Sequence, residues 1–246
     1  MSEVRHALVT GGGSGIGRAL ALALARSGCR VTICGRREPP LRETAALHEQ
    51  ISAAVADVTS EADMARVHAQ PFDIVVANAG FAHSAPVAKT SLADWRATLD
   101  ANLTGAFLTV QPALAAMTRE RAGRVVFVAS TAGLKGYPYV APYVAAKHGV
   151  VGLMRALAVE LATSGITINA VCPGFVETDL LAQSVERIVA TTGKSVADAR
   201  SALQRTNPQG RFVQPAEIAA AVLYLCSPEA GSVTGQCLSL SGGETW

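Results

Sequence analysis

The chain has 246 residues, of which 50% are hydrophobic and 16% are charged, and its formal net charge is +2. This length and apolar content fit a domain with a large buried core and exclude a disordered chain, while the near-neutral charge argues against nucleic-acid binding. The N-terminus has no signal-peptide pattern, and no apolar run reaches the roughly 20 residues that span a bilayer. We therefore expect a cytoplasmic protein that does not associate with membranes.

Short β-branched segments alternate with longer Ala- and Leu-rich segments along the chain. The predicted strands are 6–11, 30–34, 51–55, 72–80, 123–130, 165–174 and 236–243. The predicted helices are 17–28, 39–50, 60–68, 92–118, 142–163, 179–206 and 215–226. Nearly continuous apolar strands separated by helices are typical of a parallel sheet with helices on both faces. Since no linker or repeat interrupts this order, the sequence predicts one doubly wound α/β domain over 1–246, with ligands beyond the carboxyl ends of the strands.

The cysteines are dispersed along this pattern. There are five of them, with no CxxC pair and no histidine cluster nearby. This predicts reduced, buried thiols rather than a disulfide framework, and it gives no reason to expect a metal.

The segment VTGGGSGIGRAL, residues 9–20, joins the first strand to the first helix. Gly11, Gly15 and Gly17 lie where a tight turn, a close approach to pyrophosphate and helix–strand packing each exclude a Cβ atom. The N–H groups at the start of the helix suit phosphates. The loop therefore predicts dinucleotide binding, although a flexible strand–helix turn has a similar composition.

The residues after the second strand distinguish the two nicotinamide dinucleotides. An acidic residue there binds the adenosine ribose of NAD, but this chain has Arg36 and Arg37, whose guanidinium groups suit a 2′-phosphate. The sequence therefore favours NADP(H), with NAD(H) as the alternative because Glu38 is close enough to reach the ribose. A merely solvated role for the two arginines is also open.

Two further segments follow strands at the same edge of the sheet. In ADVTS, Asp57 is placed to meet the adenine ring; in ANAG, Asn78–Gly80 is placed beneath the cofactor. The first segment is equally typical of a helix N-cap by Thr59 or Ser60.

Three tyrosines, Tyr137, Tyr139 and Tyr143, lie close together after the fifth strand. Pro142 suits the first turn of a helix, so Tyr143 begins the helix that carries Lys147 one turn later on the same face. A neighbouring ammonium favours the phenolate, which predicts a lowered pKa for Tyr143 and an acid–base role near neutral pH. Such a pair is also frequent on ordinary helix faces.

Ser130 and Asn102 add polar groups to the same region. Ser130 ends the fifth predicted strand, at the edge where the cofactor is expected, and Asn102 interrupts an apolar helical pattern. A buried helix asparagine is usually a structural hydrogen-bonding group. A kink in the helix or a link in a water chain is the more specific alternative.

Taken in this order, the TGxxxGIG loop, the NAG segment, the helix asparagine, the strand-end serine and the YxxxK pair resemble the short-chain dehydrogenase/reductase family. The resemblance covers 10–243, essentially the whole chain. It implies a single-domain Rossmann fold with a seven-stranded parallel sheet. Family members are usually dimers or tetramers, and we expect a homotetramer with one interface at helices 92–118 and 142–163 and another at the C-terminal segment.

The resemblance also implies a role for each catalytic residue. Tyr143 would be the general acid–base, and Lys147 would lower its pKa and bind the nicotinamide ribose. Ser130 would bind the substrate carbonyl, and Asn102 would hold a water that links Lys147 to solvent. The segment NAVCPGFVETDL resembles the family's PG-x-V-x-T segment, which contacts the nicotinamide end. Together with the groups identified above, the expected cofactor-binding residues are Gly11, Ser14, Gly15, Ile16, Gly17, Arg36, Arg37, Asp57, Val58, Asn78, Ala79, Gly80, Tyr143, Lys147, Pro173, Gly174, Val176 and Thr178.

Two positions depart from the family pattern. Ala77 stands where the family usually has a second asparagine before Asn78, which removes one side-chain hydrogen bond. Ser14 stands where many NADPH-dependent relatives carry a basic residue, so a 2′-phosphate would depend on Arg36 and Arg37 alone.

The segment 179–212 precedes the final helix and, by the same resemblance, is the substrate lid. Its basic residues suit an acidic thioester carrier such as coenzyme A or acyl carrier protein, or else form a solvated helix face; they are Arg187, Lys194, Arg200, Arg205 and Arg211. Phe81, His83 and Phe175 are candidate walls of the substrate pocket, although each also suits ordinary packing.

The segments VCPGFVET and PQGRFVQPAEIAAAVLYL resemble 3-oxoacyl-thioester and polyketide ketoreductases. The leading hypothesis is an NADPH-preferring ketoreductase that transfers a hydride to a 3-oxoacyl thioester or a similar ketone. One alternative is an NAD(P)-dependent secondary-alcohol dehydrogenase working in the oxidative direction. A more remote alternative is a non-catalytic family member that binds nucleotide or scaffolds a partner.

Overall fold

The computed structural model describes residues 4–246, and a sheet of seven parallel strands lies at its centre. The strands are β1 (His6–Thr10), β2 (Arg30–Gly35), β3 (Ile51–Val55), β4 (Ile74–Ala77), β5 (Gly123–Val128), β6 (Ile166–Pro173) and β7 (Cys237–Leu240). They lie side by side in the order β3-β2-β1-β4-β5-β6-β7, and every neighbouring pair is parallel. The order reverses between β1 and β4, so a crevice opens between the loops that leave these two strands. The predicted fold class is confirmed.

Nine α-helices connect the strands in the described part of the chain. They are α1 (Gly15–Arg26), α2 (Glu38–Ala45), α3 (Glu61–Val67), α4 (Leu92–Leu99), α5 (Gly105–Glu120), α6 (Ala141–Glu160), α7 (Asp179–Thr192), α8 (Val196–Gln204) and α9 (Pro215–Cys226). Helices α1 and α9 pack on one face of the sheet, and α5 and α6 pack on the other. Each face therefore has its own apolar core.

Local sequence explains where these elements begin and end. Every residue of β1 and β6 is buried, and their side chains are mostly apolar, as expected for central strands covered on both faces. Helix α6 has Pro142 in its first turn, where a missing N–H costs nothing. After α1, Gly28 adopts a φ of +92°, the left-handed conformation that terminates helices.

Several strands and one helix are shorter in the structure than the sequence predicts. The strands predicted over 72–80, 123–130 and 236–243 end at Ala77, Val128 and Leu240, so the polar groups that follow them lie in loops. The helix predicted over 39–50 ends at Ala45.

Two long predicted helices are interrupted. The helix predicted over 179–206 is α7 and α8, because Gly193 has a φ of +69° and Ser195 caps a new helix by accepting a hydrogen bond from Asp198 N. The helix predicted over 92–118 is α4, a π-helical turn over Asp100–Thr104, and α5.

Three general features concern the part of the chain that the structure describes. No helix in residues 4–246 is both long and apolar enough to cross a bilayer. Nor does this range contain a group of three His, Cys, Asp or Glu side chains arranged for a metal ion. All five cysteines lie in it as free thiols.

Candidate active site

The glycine loop leaves β1 at the crevice and leads into α1. Gly11 has a φ of +67°, and a Cβ atom on Gly17 would collide with the backbone oxygen of Gly11, so these positions favour glycine. Ser14 is the N-cap of α1, but its side chain accepts no capping hydrogen bond in the described structure. The N–H groups at the helix N-terminus are thus suited to a phosphate. Ile16 lies in the first turn and packs partly against the apolar core.

Asn78 and Ala79 tie the end of β4 to the end of β1. Their backbone N–H groups both donate to Thr10 Oγ1 at 3.0 Å, and Asn78 Nδ2 donates to the Thr10 carbonyl oxygen at 2.8 Å. The Asn78 side chain, which is expected to lie beneath the cofactor, therefore joins the ends of β4 and β1 at the bottom of the crevice.

A cleft of about 450 Å³ lies between the glycine loop and the segment that follows β6. A Cβ atom on Gly15 would lie 3.1 Å from Thr178 Cγ2, which shows how closely the two walls approach. The cleft is lined by Gly13, Ser14, Gly15, Arg18, Arg37, Pro40, Glu43, Glu177, Thr178 and Asp179. Glycines allow a dinucleotide to approach the backbone closely, and a helix N-terminus and arginines suit its phosphates. These residues therefore fit NAD(P).

Arg36 and Arg37 are exposed at the carboxyl end of β2. Within residues 4–246 neither arginine forms an ion pair, whereas the Glu38 carboxylate pairs with Arg42 at 2.6 Å. Glu38, the alternative partner for the ribose of NAD, is thus paired with Arg42. The guanidinium groups of Arg36 and Arg37 remain suited to a phosphate.

Arg18 lines the cleft but was not identified from the sequence. Its Nη2 donates to the Gly13 carbonyl oxygen at 2.8 Å and lies 3.2 Å from Glu43 Oε2, while its Nε donates to Thr44 Oγ1 at 3.0 Å. The side chain therefore braces the glycine loop against α2. The sequence feature that could have identified Arg18 is its position directly after the Gly-Ile-Gly triplet.

Asp57 and Val58 follow β3. The Asp57 carboxylate accepts hydrogen bonds from Thr59 N at 2.9 Å and Thr59 Oγ1 at 2.8 Å, and Val58 is buried. Ser60 caps α3 by accepting from Asp63 N at 3.2 Å, so the N-cap prediction is correct for Ser60. Contact between Asp57 and adenine stays a prediction.

Ser130, Tyr143 and Lys147 come together beyond the end of β5. Ser130 Oγ accepts a hydrogen bond from Ala132 N at 3.1 Å, and its hydroxyl is near enough to Tyr143 to influence the pKa of the phenol. Lys147 Nζ donates to the Val128 carbonyl oxygen at 2.8 Å and lies 5.5 Å from the centroid of the Tyr143 ring. A hydroxyl, a phenol and an ammonium group thus share one side of the crevice.

Burial controls the ionisation of both side chains on α6. It raises the pKa of Tyr143 to about 12, an effect that the neighbouring Ser130 hydroxyl partly offsets. It lowers the pKa of Lys147 to about 8. The predicted lowering of the Tyr143 pKa is therefore wrong for this structure, because desolvation of the phenolate is the largest influence on it and the Lys147 ammonium is not among the groups that lower it. At neutral pH Tyr143 is a neutral hydrogen-bond donor.

Asn102 lies in the π-helical turn between α4 and α5 and is 1% exposed. Its Nδ2 donates to the carbonyl oxygens of Phe81 at 2.8 Å and Thr98 at 2.9 Å, which accounts for the interrupted helix. Its Oδ1 is buried without a hydrogen-bond partner in the described chain. A Cβ atom on Gly80 would collide with this Oδ1 and would lie 3.8 Å from Lys147 Nζ. Both expected features, a structural hydrogen bond and an irregular helix, are present.

The segment Pro173–Thr178 begins at the last residue of β6, at the same edge of the sheet. Gly174 N donates to the Leu240 carbonyl oxygen at 3.1 Å, and Val176 pairs with Val213 in an isolated parallel bridge. These contacts fix the segment between β7 and α9, with its end facing the glycine loop across the cleft.

Helices α7 and α8 pack together beyond this segment. Their buried side chains form a small apolar cluster with Phe212, which follows α8. We call it the α7–α8 cluster, and it consists of Leu181, Val185, Ala199 and Phe212. Phe175 packs against this cluster, while Phe81 and His83 are partly buried in the loop after β4. The three candidate pocket walls therefore lie on two different segments.

Several basic residues of 179–212 are engaged within the chain. Arg200 pairs with Glu177 at 2.8 Å, and Arg211 pairs with Glu217 at 2.7 Å. Arg187 Nη1 donates to the carbonyl oxygen of Ser84 at 2.5 Å, which joins α7 to the loop after β4. These contacts weaken the hypothesis that all the basic residues of this segment meet an acidic carrier.

The family model for short chain dehydrogenases matches residues 5–188. The chain belongs to the short-chain dehydrogenase family. A Streptomyces coelicolor protein assigned as a ketoacyl reductase is 43% identical to this short-chain dehydrogenase over 98% of this chain and 97% of its own length. The D-beta-hydroxybutyrate dehydrogenase of Cupriavidus necator is 38% identical over 99% and 98%, respectively. A crystal structure of an actinorhodin polyketide ketoreductase variant with NADPH matches with a TM-score of 0.93 and 40% identity, over 98% of this chain and 97% of that one.

These findings confirm the resemblance that the sequence motifs indicated. This short-chain dehydrogenase is an NAD(P)H-dependent oxidoreductase that interconverts ketones and secondary alcohols. The presence of Ser130, Tyr143 and Lys147 in one constellation agrees with an active enzyme rather than a non-catalytic family member.

Proposed function

We propose that this short-chain dehydrogenase is an NADPH-preferring ketoreductase that reduces a 3-oxoacyl thioester or a similar ketone. The observation that carries the proposal is the constellation of Ser130, a neutral Tyr143 and Lys147 beside the crevice. The names of its relatives, a ketoacyl reductase and a polyketide ketoreductase, support this class of substrate.

In this proposal Ser130 and Tyr143 bind the carbonyl oxygen of the ketone. Both hydroxyl groups donate a hydrogen bond, and Tyr143 transfers its proton as negative charge develops on that oxygen. The bound nicotinamide supplies the hydride. Because Tyr143 is neutral and protonated at neutral pH, it is in the right state for ketone reduction.

Lys147 stabilises the phenolate that remains after the proton has left. Its lowered pKa of about 8 still leaves the amine mostly protonated at neutral pH, so its charge favours the phenolate. Asn102 Oδ1 and Lys147 Nζ both lie next to Gly80, and a buried acceptor without a protein partner is usually satisfied by water. We propose that such a water passes a new proton from solvent to the Tyr143 phenolate through Lys147.

The residues that would hold the cofactor follow the crevice from β2 to β6. The N-terminus of α1 would hold the pyrophosphate, and Arg36 and Arg37 would hold the 2′-phosphate. The segment Pro173–Thr178 would contact the nicotinamide end. The free guanidinium groups beside an engaged Glu38 support NADP(H) over NAD(H).

We further propose that 179–212 is the substrate lid and that the enzyme is a cytoplasmic homotetramer. Exposed Trp95, Phe107 and Val159 on α4, α5 and α6 support one subunit interface, and exposed Leu238 and Trp246 support another. Five free thiols agree with a reducing compartment.

The deciding experiment follows the loss of reduced-nicotinamide absorbance with purified protein. NADPH and NADH are compared with acetoacetyl-CoA and with a simple cyclic ketone. Fast NADPH oxidation with the thioester supports the proposal. Activity with the free ketone alone, or with NADH alone, favours an alcohol dehydrogenase, the class to which the Cupriavidus necator relative belongs.

A further inference from the structure

Tyr137 joins the C-terminal tail to the loop between β5 and α6. Its hydroxyl donates to Glu244 Oε1 at 2.5 Å and lies 2.7 Å from Thr131 Oγ1. Since a phenol has one proton, the Thr131 hydroxyl donates to the Tyr137 oxygen when Tyr137 donates to the carboxylate. Lys135 Nζ pairs with the same carboxylate oxygen at 3.0 Å, and the Glu244 side chain is only 2% exposed. A buried carboxylate is therefore held by a phenol and an ammonium group, the kind of hydrogen bond that is strongest in proteins.

Glu244 also reaches the segment that follows β6. Its Oε2 lies 3.1 Å from the position that a Cβ atom on Gly174 would occupy, so a side chain at residue 174 would press on the carboxylate. Glu244 thus lies between Gly174, in the segment proposed for the nicotinamide end, and the loop that carries Ser130.

The contacts of Tyr137 lead directly to the catalytic residues. Thr131 follows Ser130 in the chain and opens a one-turn 3₁₀-helix over Thr131–Gly133, closed by a hydrogen bond from Gly133 N to the Ser130 carbonyl oxygen at 2.8 Å. This turn rests on α6, because a Cβ atom on Gly133 would lie 2.8 Å from the Lys147 carbonyl oxygen. A shift of Thr131 therefore moves Ser130 relative to Tyr143 and Lys147.

We propose that Glu244 is a positioning residue, which holds the Ser130 turn against α6 through Tyr137 and Thr131. Glu244 contacts no substrate and transfers no proton in this proposal. It fixes the geometry in which Ser130 and Tyr143 bind the carbonyl oxygen. The inference rests on the proposed roles of these two residues. Small displacements at a reacting centre are costly, since a misplacement of about 1 Å can lower a rate about a hundredfold.

The test compares Glu244→Ala and Glu244→Gln with Glu120→Gln, a matched removal of an exposed carboxylate that pairs with the adjacent Arg119. With NADPH and a ketone, Glu244→Ala should lower kcat about tenfold or more and leave the Kd of NADPH within about twofold. Glu244→Gln keeps an acceptor for Tyr137 and should restore most of kcat, and Glu120→Gln should match the parent enzyme. An unchanged kcat in Glu244→Ala overturns the proposal.

Tyr137→Phe provides a second route if Glu244→Ala fails to fold. It removes the same hydrogen bond and leaves the carboxylate with Lys135, so it should lower kcat to a similar extent. In the double variant the losses should not multiply, because both changes break one linkage. Fully multiplicative losses would show that Glu244 and Tyr137 act separately, which contradicts the proposal.

A measurement without substrate separates this inference from the proposed function. Carbon-13 labelling of the tyrosine Cζ atoms gives four NMR signals, which single Tyr→Phe variants assign. If Glu244 positions Ser130 and the turn Thr131–Gly133, Glu244→Ala should shift the signals of both Tyr137 and Tyr143. A shift confined to Tyr137 would show that Glu244 only anchors the tail and would refute the proposal. If the parent enzyme reduced no ketone, the proposed function would fail while this result would still decide the role of Glu244.

Discussion

Tyr143 should remain a neutral phenol in the cofactor-free protein well above neutral pH. Its pKa is raised from 10 to about 12, chiefly by burial. Two pH units correspond to at most roughly 2.7 kcal/mol in favour of the neutral form, since Tyr143 keeps part of its surface exposed to solvent. At about pH 10 roughly 1% of Tyr143 would be ionised, compared with about half of an exposed tyrosine. Because the unfolded chain ionises first, this contribution to the free energy of unfolding is present below about pH 10 and is lost as the pH rises toward 12.

The assay is an alkaline titration that follows tyrosinate absorbance in the parent protein and in Tyr143→Phe, both without cofactor. The two curves should coincide up to about pH 10, since Tyr143 contributes no tyrosinate there. Oxidised cofactor carries a positive nicotinamide ring and should lower the Tyr143 pKa when it is added, because an opposite charge favours the phenolate. A step near neutral pH that is present without cofactor and missing from Tyr143→Phe would refute the reasoning. It would mean that the Lys147 ammonium, rather than burial, controls the phenol.

Three further predictions concern single substitutions. Tyr143→Phe should lower kcat by about 10²–10⁴-fold and leave the Kd of the cofactor unchanged, measured by nicotinamide fluorescence; substantial remaining turnover would contradict its acid–base role. Arg36→Ala should raise the KM for NADPH far more than that for NADH, since only NADPH carries the 2′-phosphate, and equal effects in steady-state kinetics would count against this site. Asn102→Ala should lower the free energy of unfolding by roughly 2–4 kcal/mol in urea titrations, because the Phe81 and Thr98 carbonyls lose a buried donor; a change below about 1 kcal/mol would show that water replaces it.

The fold could be predicted from the sequence where local signals agree. Helix α9 was predicted over 215–226 and lies at Pro215–Cys226, since a proline in the first turn and a capping box at Gln214 and Glu217 mark its start. The break between α7 and α8 was missed because Ala, Thr and Val continue the helical pattern up to Gly193, whose left-handed φ only the structure shows.

The candidate site was predictable as a set of residues but not as a network. Motif spacing identified Ser130, Tyr143 and Lys147, since helix geometry alone puts the last two on one face. The direction of the Tyr143 pKa shift depends on burial, which is a property of the whole fold. The contact between Tyr137 and Glu244 joins residues 107 positions apart, and no local pattern encodes such a contact.

The α7–α8 cluster gives the segment that contains it a partly separate stability. Because three of its four buried side chains belong to the two helices themselves, we expect the pair to open without exposing the cores on either face of the sheet. Backbone amides there should exchange with deuterium through local openings, well before those of β1 and β6. For the proposed substrate lid, this separation means that substitutions in α7 and α8 can change the substrate range while the sheet keeps its register, at little cost to folding.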